Sequence, residues 1–240
     1  MKPTVSIIIP FYNCPYIDRA VASALEQTYD AVEILVIDDG STSNADRLAP
    51  YRDRVHYLGK ANGGTASALN HGIRYAGGDY IAWLSADDIF YPGKIENQLQ
   101  FMLTHNALIS HTNFDFINAE SQVTSYAAGA VFAEPVAFAS SFFNMNPVNG
   151  CTVMIKKEIF THLGNFNESL RYTHDLDFWY RVVLSRVPFP YLNENLTAYR
   201  VHEGMGSQRY RPQIHEEWRA VQRVYDGAMR GLIRSMGGEA

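Results

Sequence analysis

Cysteine is almost missing: Cys14 and Cys151 are the only two in 240 residues, and no CxxC pair occurs. A disulfide-stapled scaffold is excluded, and the two thiols read as reduced. Long apolar runs are missing as well: no stretch reaches the roughly 18 residues of a membrane span. The opening "MKPTVSIIIPFYN" has too short an apolar part for a secretory leader and no small-residue cleavage site. A cytoplasmic location is therefore expected, with peripheral contact at the inner face of the membrane left open. An excess of basic charge is missing too: 20 Lys and Arg against 25 Asp and Glu give a formal net charge of -5. That speaks against a nucleic-acid partner, which selects a basic field. The chain shows no internal repeat and no linker that would split it.

What the chain has is apolar mass in short, ordered pieces. Hydrophobic residues make up 47%, enough for a full core. "TVSIIIP" is a β-branched run ended by proline, which predicts a buried strand. "CPYIDRAVASALEQT" follows as a helix, with Pro15 near its first position and Ile17, Val21, Ala24 and Leu25 on one face. "VEILVIDDGSTS" is a second buried strand breaking into a turn, "RVHYLG" a short third and "DYIAWLS" a fourth. "GGTASALNHGIRYAGG" and "PGKIENQLQFMLT" read as further helices. This alternation predicts an α/β fold, a mostly parallel central sheet flanked by helices. In such sheets ligands bind beyond the carboxyl ends of the strands. The residues there are "PFYN", "DDGS", "KANGG" and "SADD", polar or acidic at every strand end.

Beyond residue 104 the pattern loosens. Strand character lies over 105–118, no clean period over 119–150, and "CTVMIKKEIFTHLG" reads as a strand running into a helix. "RYTHDLDFWYRVVLSR" is a helix, and "LTAYRVHEGMGS" a strand entering a glycine-containing loop. The tail from about Arg209 reads as a long helix with Ile214, Trp218, Val221, Tyr225 and Leu232 on one side. Packing on the domain is its first meaning; an anionic membrane surface or a dimer contact also suits its basic and apolar character.

The fourth strand stops at Asp87 and Asp88. Adjacent carboxylates repel unless a cation sits beside them. Hard divalent ions such as Mg and Mn take carboxylate oxygens together with substrate phosphates. The doublet thus points to a metal that holds a phosphate-bearing ligand. Taken alone, its commoner meaning is a solvated turn whose Asp caps the next helix.

The doublet is not alone. "VSIIIPFYN", "ILVIDDGSTS", "NGGTASALNHGIRYAGGDYIAWLSADD", "GNFNESLRYTHDLDFW" and "YRVHEGMGS" occur in this order. Together, over roughly residues 3–207, they resemble the family 2 glycosyltransferases, inverting enzymes with the nucleotide-sugar-binding fold called GT-A. The resemblance implies a single GT-A-like domain over 1–207, with a nucleotide-sugar-binding half at 1–104 and an acceptor-binding half at 105–207. A C-terminal helical extension follows at 208–240. It implies a hexosyltransferase-type enzyme that moves a sugar from a nucleotide-sugar, a UDP-sugar first of all, to a hydroxyl of a saccharide or glycolipid acceptor. The metal would be Mn or Mg, and the product a cell-surface polysaccharide or glycoconjugate.

Residue by residue, the resemblance places the donor's base and ribose at Pro10, Phe11, Tyr12, Asn13, Asp38 and Asp39, with Lys60 or Asn62 after the third strand. A carboxylate accepts from a base N–H or ribose hydroxyls, and an aromatic ring stacks on a base. Asp38 equally suits an Asx turn before Gly40. "SADD" stands where the family has DxD or DxDD, so Ser85 replaces the usual Asp. Ser85, Ala86 and Asp87 map to the donor site, and Asp87, Asp88 and His202 to the metal. Which of the two carboxylates ligates directly stays open.

Inverting displacement needs a carboxylate to take the acceptor's proton. In "HDLDFW", Asp175 matches the family's base, His174 replaces its usual Glu, and Asp177 and Trp179 match the positions that follow. In a first helical turn Asp175 is stabilised in its ionised form, an arrangement equally common without catalysis. Asp177 is the rival, but residues two apart on a helix face different sides. His174 is expected to point into solvent, the alternative being a group that orients the acceptor. The acceptor is expected over 130–150 and the loop near Gly204 to Gln208, with Phe142 and Phe143 read as core before sugar-stacking. Two rival functions are a nucleotidyltransferase-like enzyme and an inactive sugar-nucleotide-binding module. "PFYNCPY" lacks the glycine-rich basic loop of the first. Joint retention of Asp87, Asp88, Asp175 and His202 opposes the second.

Overall fold

The computed structural model describes residues 2–239. The first apolar run closes as β1 (Val5–Phe11), flanked in parallel by β2 (Val32–Asp38) and β4 (Tyr80–Trp83). A further parallel strand, β3 (His56–Gly59), pairs with β2. Because these strands run the same way, their last residues, Phe11, Asp38, Gly59 and Trp83, lie along one edge. The expected α/β fold with its parallel sheet and flanking helices is thus present.

Period-2 alternation divides the core between two faces. Val5, Ile7, Ile9 and Phe11 of β1 join Ile34 and Val36 of β2 on the face covered by α1 (Ile17–Leu25) and α3 (Lys94–Thr104). Ile8, Leu35 and Ile37 face the other way, beneath α2 (Thr65–Tyr75) and α6 (His174–Leu184).

The sheet continues through the second half of the chain in mixed orientation. β8 (Met154–Lys156) lies antiparallel to β4, and β6 (Ile109–Ile117) antiparallel to β8. β9 (Tyr191–Arg200) runs parallel to β6. The residues just after the acidic doublet form a two-residue strand, β5 (Ile89–Phe90), that pairs antiparallel with β9, Ile89 opposite Ala198. This pairing matters for chemistry: it draws the "SADD" turn against the end of β9, more than a hundred residues downstream. A short edge strand, β7 (Val123–Ser125), and helix α4 (Pro135–Ser141) fill the region that had no clean period.

The tail forms one long helix, Arg211–Ser235, designated α8 after the short α5 (Ile159–Leu163) and α7 (Gly206–Arg209). It buries Val221, Met229 and Ile233, with Trp218, Tyr225 and Leu232 partly covered, while Ile214 stays half-exposed. Packing therefore accounts for its apolar stripe. Tyr225 stacks on Tyr180 of α6 with ring centroids 4.8 Å apart, and its hydroxyl donates to Asp177 Oδ1 at 2.8 Å. No helix among the described residues is long and apolar enough to cross a membrane.

One charge is buried away from any carboxylate. Lys94, at the start of α3, is fully inaccessible. Its ammonium donates to Gln98 Oε1 and lies 4.7 Å from the centre of the Phe90 ring. Burial lowers its pKa to about 7, against about 10.4 in an unfolded chain. Between those values the unfolded state binds the extra proton, so this residue makes stability rise with pH from about 7 to about 10. Lys94→Met should flatten that rise, read as the urea midpoint against pH. A slope unchanged in the variant would show that Lys94 keeps its proton in the fold.

Candidate active site

The "SADD" turn is closed by the Asp88 N–H donating to Ser85 O at 3.1 Å. This backbone geometry divides the doublet. Asp87 stays partly accessible, and its Oδ2 lies 3.1 Å from His202 Nε2. Asp88 is 1% exposed and turns inward. Its Oδ1 accepts the Arg200 N–H at 2.8 Å, while Oδ2 is buried without a partner. Burial first, and the neighbouring Asp87 charge second, push the Asp88 carboxyl well above its ordinary range. Of the expected metal set, the structure brings Asp87 and His202 together and places Asp88 beneath them. Of the two carboxylates left open as direct ligands, Asp87 is the accessible one and Asp88 the buried one. Among the described residues no three His, Cys, Asp or Glu side chains form a metal-holding group.

Asp87 and His202 still fit a divalent ion. One carboxylate oxygen and one imidazole nitrogen are a suitable partial donor set, the rest of the shell coming from phosphates and water. The orphaned Asp88 oxygen beneath them leaves an unmet polar atom at the same turn.

Arg200 holds this turn in place. Its side chain is fully buried, donating from Nε to Asp87 O at 2.7 Å and from Nη1 to Asn118 O, Ala119 O and Ser121 Oγ. The guanidinium also lies 4.5 Å from the centre of the Tyr16 ring. The Ser85 side chain contacts Cys151, its Oγ 2.9 Å from Sγ. Both cysteines are free thiols. Burial raises the Cys14 thiol to about 12 and pushes Cys151 well above its ordinary value, so neither is a thiolate near neutral pH. Ala86 buries its methyl group and offers only backbone to a ligand.

A cavity of about 450 Å³ runs from Ser85 and Cys151, past Trp83, Phe114 and Tyr199, to Asp175. Asp175 lies in the first turn of α6. It accepts a hydrogen bond from Asn146 Nδ2 at 2.8 Å. Burial raises its carboxyl above the ordinary value; the neighbouring His174 and the Asn146 amide oppose that rise. Thr173 gives α6 no side-chain cap. The cap comes instead from the tail helix: Glu217 Oε1 accepts from the N–H groups of Tyr172 and Thr173 and from Thr173 Oγ1, all within 3.0 Å. A carboxylate at a helix N-terminus satisfies donors that the helix itself cannot.

The residues around Asp175 divide by helical position. Asp177 is tied to Arg181 Nε and Nη2 and to Tyr225, so it braces α6 against α8 and does not compete for an acceptor. Trp179 is fully buried. His174 does not reach solvent as expected. It is 4% exposed, its ring 5.7 Å from Trp83 and 5.8 Å from Phe166, and neither nitrogen has a partner. Residues one apart on a helix diverge by about 100°, so with Asp175 facing the cavity His174 is driven into the aromatic core. Burial lowers its pKa, which keeps it neutral.

At the other strand ends the donor-side residues form a tight polar knot. Asp38 Oδ1 accepts from the Ser41 N–H at 2.7 Å, and Oδ2 accepts from the Tyr57 hydroxyl. Gly40 between them adopts φ 79°, the left-handed conformation that such a turn demands of glycine. Asp39 is buried and accepts from Lys60 Nζ at 2.6 Å and from the N–H groups of Gly63 and Gly64. Asn62 Nδ2 donates to Asp39 O at 2.9 Å. Asn13, itself left-handed, accepts at Oδ1 from Thr42 and Ser43. Pro10 is half-buried. Of the two aromatic rings expected in the donor site, Phe11 is 1% exposed within the α1-side core, and Tyr12 is 54% exposed. Phe142 is core as expected, and Phe143 packs beside it.

Arg200, Asn146, Glu217 and Cys151 escaped sequence reasoning as site residues. Arg200 alone left a trace, a charge on a strand that pairs on both sides; the others are brought in from distant elements without a local pattern.

Comparison with known proteins follows the same lines. Residues 6–164 match the family model described as Glycosyl transferase family 2. An uncharacterized glycosyltransferase of Rickettsia typhi is 37% identical over 222 residues, covering 90% of this chain and 69% of its own. A Bacillus subtilis protein named as a teichuronic acid biosynthesis glycosyltransferase is 31% identical over 219 residues, covering 88% and 84%. Among solved structures, Staphylococcus aureus TarS 1-349 in complex with UDP-GlcNAc superposes with a TM-score of 0.70 at 17% identity, covering 91% of this chain and 65% of that one.

Proposed function

The chain belongs to glycosyl transferase family 2, and from that premise we propose that it catalyses inverting transfer of a sugar from a UDP-sugar to an acceptor hydroxyl. One observation carries this reading: a single cavity is lined at one end by Ser85 of the acidic turn and at the other by Asp175. A donor diphosphate beside the turn and an acceptor hydroxyl beside Asp175 can meet in that space.

The geometry supports a role for each residue. Tyr12 offers the open ring for the uracil, and Asp38, Asp39 and Asn13 shape the loops that surround it. Asp39 holds Lys60 at 2.6 Å, so the ammonium is positioned before a donor arrives. Asp87 and His202 would hold Mn or Mg, which when bound neutralises charge on the leaving diphosphate. Asp175 accepts the proton of the attacking hydroxyl. Its raised pKa makes it a better base than an exposed carboxylate. The acceptor end is formed by residues 105–207, the donor end by 1–104, and the tail 208–240 caps the base-bearing helix through Glu217. The complex of TarS with UDP-GlcNAc supports a uridine-linked donor. The Bacillus subtilis relative supports cell-surface polysaccharide or glycoconjugate synthesis, with a saccharide or glycolipid acceptor.

The test is a panel of nucleotide-sugars with Mn, read by nucleoside diphosphate release and by the anomeric configuration of the product. A UDP-sugar should be turned over with inversion, and chelation or Asp87→Asn should remove that turnover. Product of retained configuration, or turnover indifferent to both treatments, would defeat the reading.

A further inference from the structure

A second cavity, of about 530 Å³, lies between α4, the start of β9 and the C-terminal ends of α6 and α8. No role proposed above uses it. Its walls are mostly aromatic and aliphatic, with Phe132, Phe138, Phe189 and Leu232 prominent, and Glu134 and Arg186 also line it. Its size falls within the roughly 300–1,000 Å³ of small-molecule sites. It is not isolated: Ala130 lines both this cavity and the one that ends at Asp175. The shared wall is fixed, since the preceding Ala128 and Gly129 N–H groups donate to Phe114 O and Asn113 Oδ1, each at 2.8 Å.

An independent observation points to a ligand. His111 lines this cavity, is 4% exposed, and packs against the rings of Phe138, Phe189 and Tyr191. Its imidazole is not among the sealed polar groups left without a partner, so its ring nitrogens meet the open space of the cavity that it lines, and burial alone lowers its pKa to about 4. A neutral imidazole can donate and accept one hydrogen bond each. A polar group that faces a cavity takes its partners from whatever fills that cavity, a ligand or water. A mostly apolar chamber with one such buried group suits a mostly hydrocarbon ligand carrying a single oxygen.

Resting on the transferase reading above, we propose that this cavity binds the apolar aglycone of an amphipathic glycoside acceptor, its sugar end passing Ala130 toward Asp175. Specificity for the acceptor is then read at both ends. The hydroxyl is selected at Asp175, and the aglycone is selected among Phe132, Phe138 and Leu232, with a linking oxygen at His111.

Calorimetric titration of the full chain with methyl, butyl, hexyl and octyl β-glucosides, each below its micelle concentration, tests this. Affinity should rise by roughly fourfold per added methylene until the cavity is filled. Ala133, an exposed wall residue, can be enlarged without disturbing the core. Ala133→Trp should weaken octyl glucoside by about tenfold or more, and His111→Phe should weaken it while keeping the ring's shape. UDP-GlcNAc titrated in parallel should bind the parent and both variants alike. Equal affinity across the alkyl series, or octyl binding indifferent to Ala133→Trp, overturns the proposal. Chain-length dependence that survives while neither UDP nor any UDP-sugar of the panel binds the parent would remove the donor reading and leave the aglycone site standing.

Discussion

Asp175→Asn is expected to lower kcat by about 10²- to 10⁴-fold, the usual worth of a positioned general base, with UDP-sugar affinity unchanged. The substitution keeps the shape and the contact with Asn146 but removes the lone pair that takes the proton. The pH profile sharpens the test. A base must be ionised, so activity in the parent rises with pH through the pKa of Asp175. Burial places that pKa above the ordinary carboxylate value, and the Asn146 amide opposes the shift by stabilising the charged form. Asn146→Ala removes this opposition, so the acidic limb should move to higher pH while activity above it is largely kept. A merely structural Asn146 would lower activity at every pH alike. UDP release equal in parent and Asp175→Asn would remove Asp175 from the chemistry and leave the cavity without a base.

The halves of this protein differ in how far their sequence discloses them. The start of the parallel sheet was readable because β1 and β2 are β-branched runs, one ended by a proline and the other by an Asp-containing turn. Such runs need only local chemistry to be recognised. The same alternation held an unused message about Phe11. Val5, Ile7, Ile9 and Phe11 share one face of β1, so the parity that buries the first three buries the fourth as well. The turn at Asp87 and Asp88 was visible as a charge cluster. Its division into an accessible and a buried carboxylate was not, because it depends on one turn hydrogen bond and on Arg200 arriving from β9. His174 shows the same limit: its burial follows from the rings of Trp83 and Phe166, which come from separate parts of the chain. Glu217 lies furthest from legibility. Nothing near it in sequence marks a carboxylate on a surface helix as the cap of another helix.

Arg200→Met tests whether the buried guanidinium is the bracket of the acidic turn. Methionine keeps most of the apolar stem against Tyr16 but donates nothing. Asp87 O, Asn118 O, Ala119 O and Ser121 Oγ would each lose a charged donor. Some of these acceptors can be rehydrated at the edge of the fold, so the expected loss is about 3 kcal/mol. For a chain of this size that lowers Tm by about 6–12 °C. Function should fall separately from stability. The Asp87 carbonyl is one of the guanidinium's anchors, so freeing it lets the Asp87 side chain drift from His202, and the Mn concentration for half-maximal activity should rise even well below Tm. Arg200→Lys distinguishes bridge from charge. Lysine retains the positive charge near Asp87 and Asp88, but a single ammonium cannot span donors aimed at both the turn and residues 118–121 as the planar fork does. Lysine should therefore recover little of either loss. Should Arg200→Lys behave as the parent, the charge alone holds the doublet. Should Arg200→Met leave both Tm and the Mn requirement untouched, the turn is rigid without its bracket, and the pairing of β5 with β9 is what keeps Asp87 beside His202.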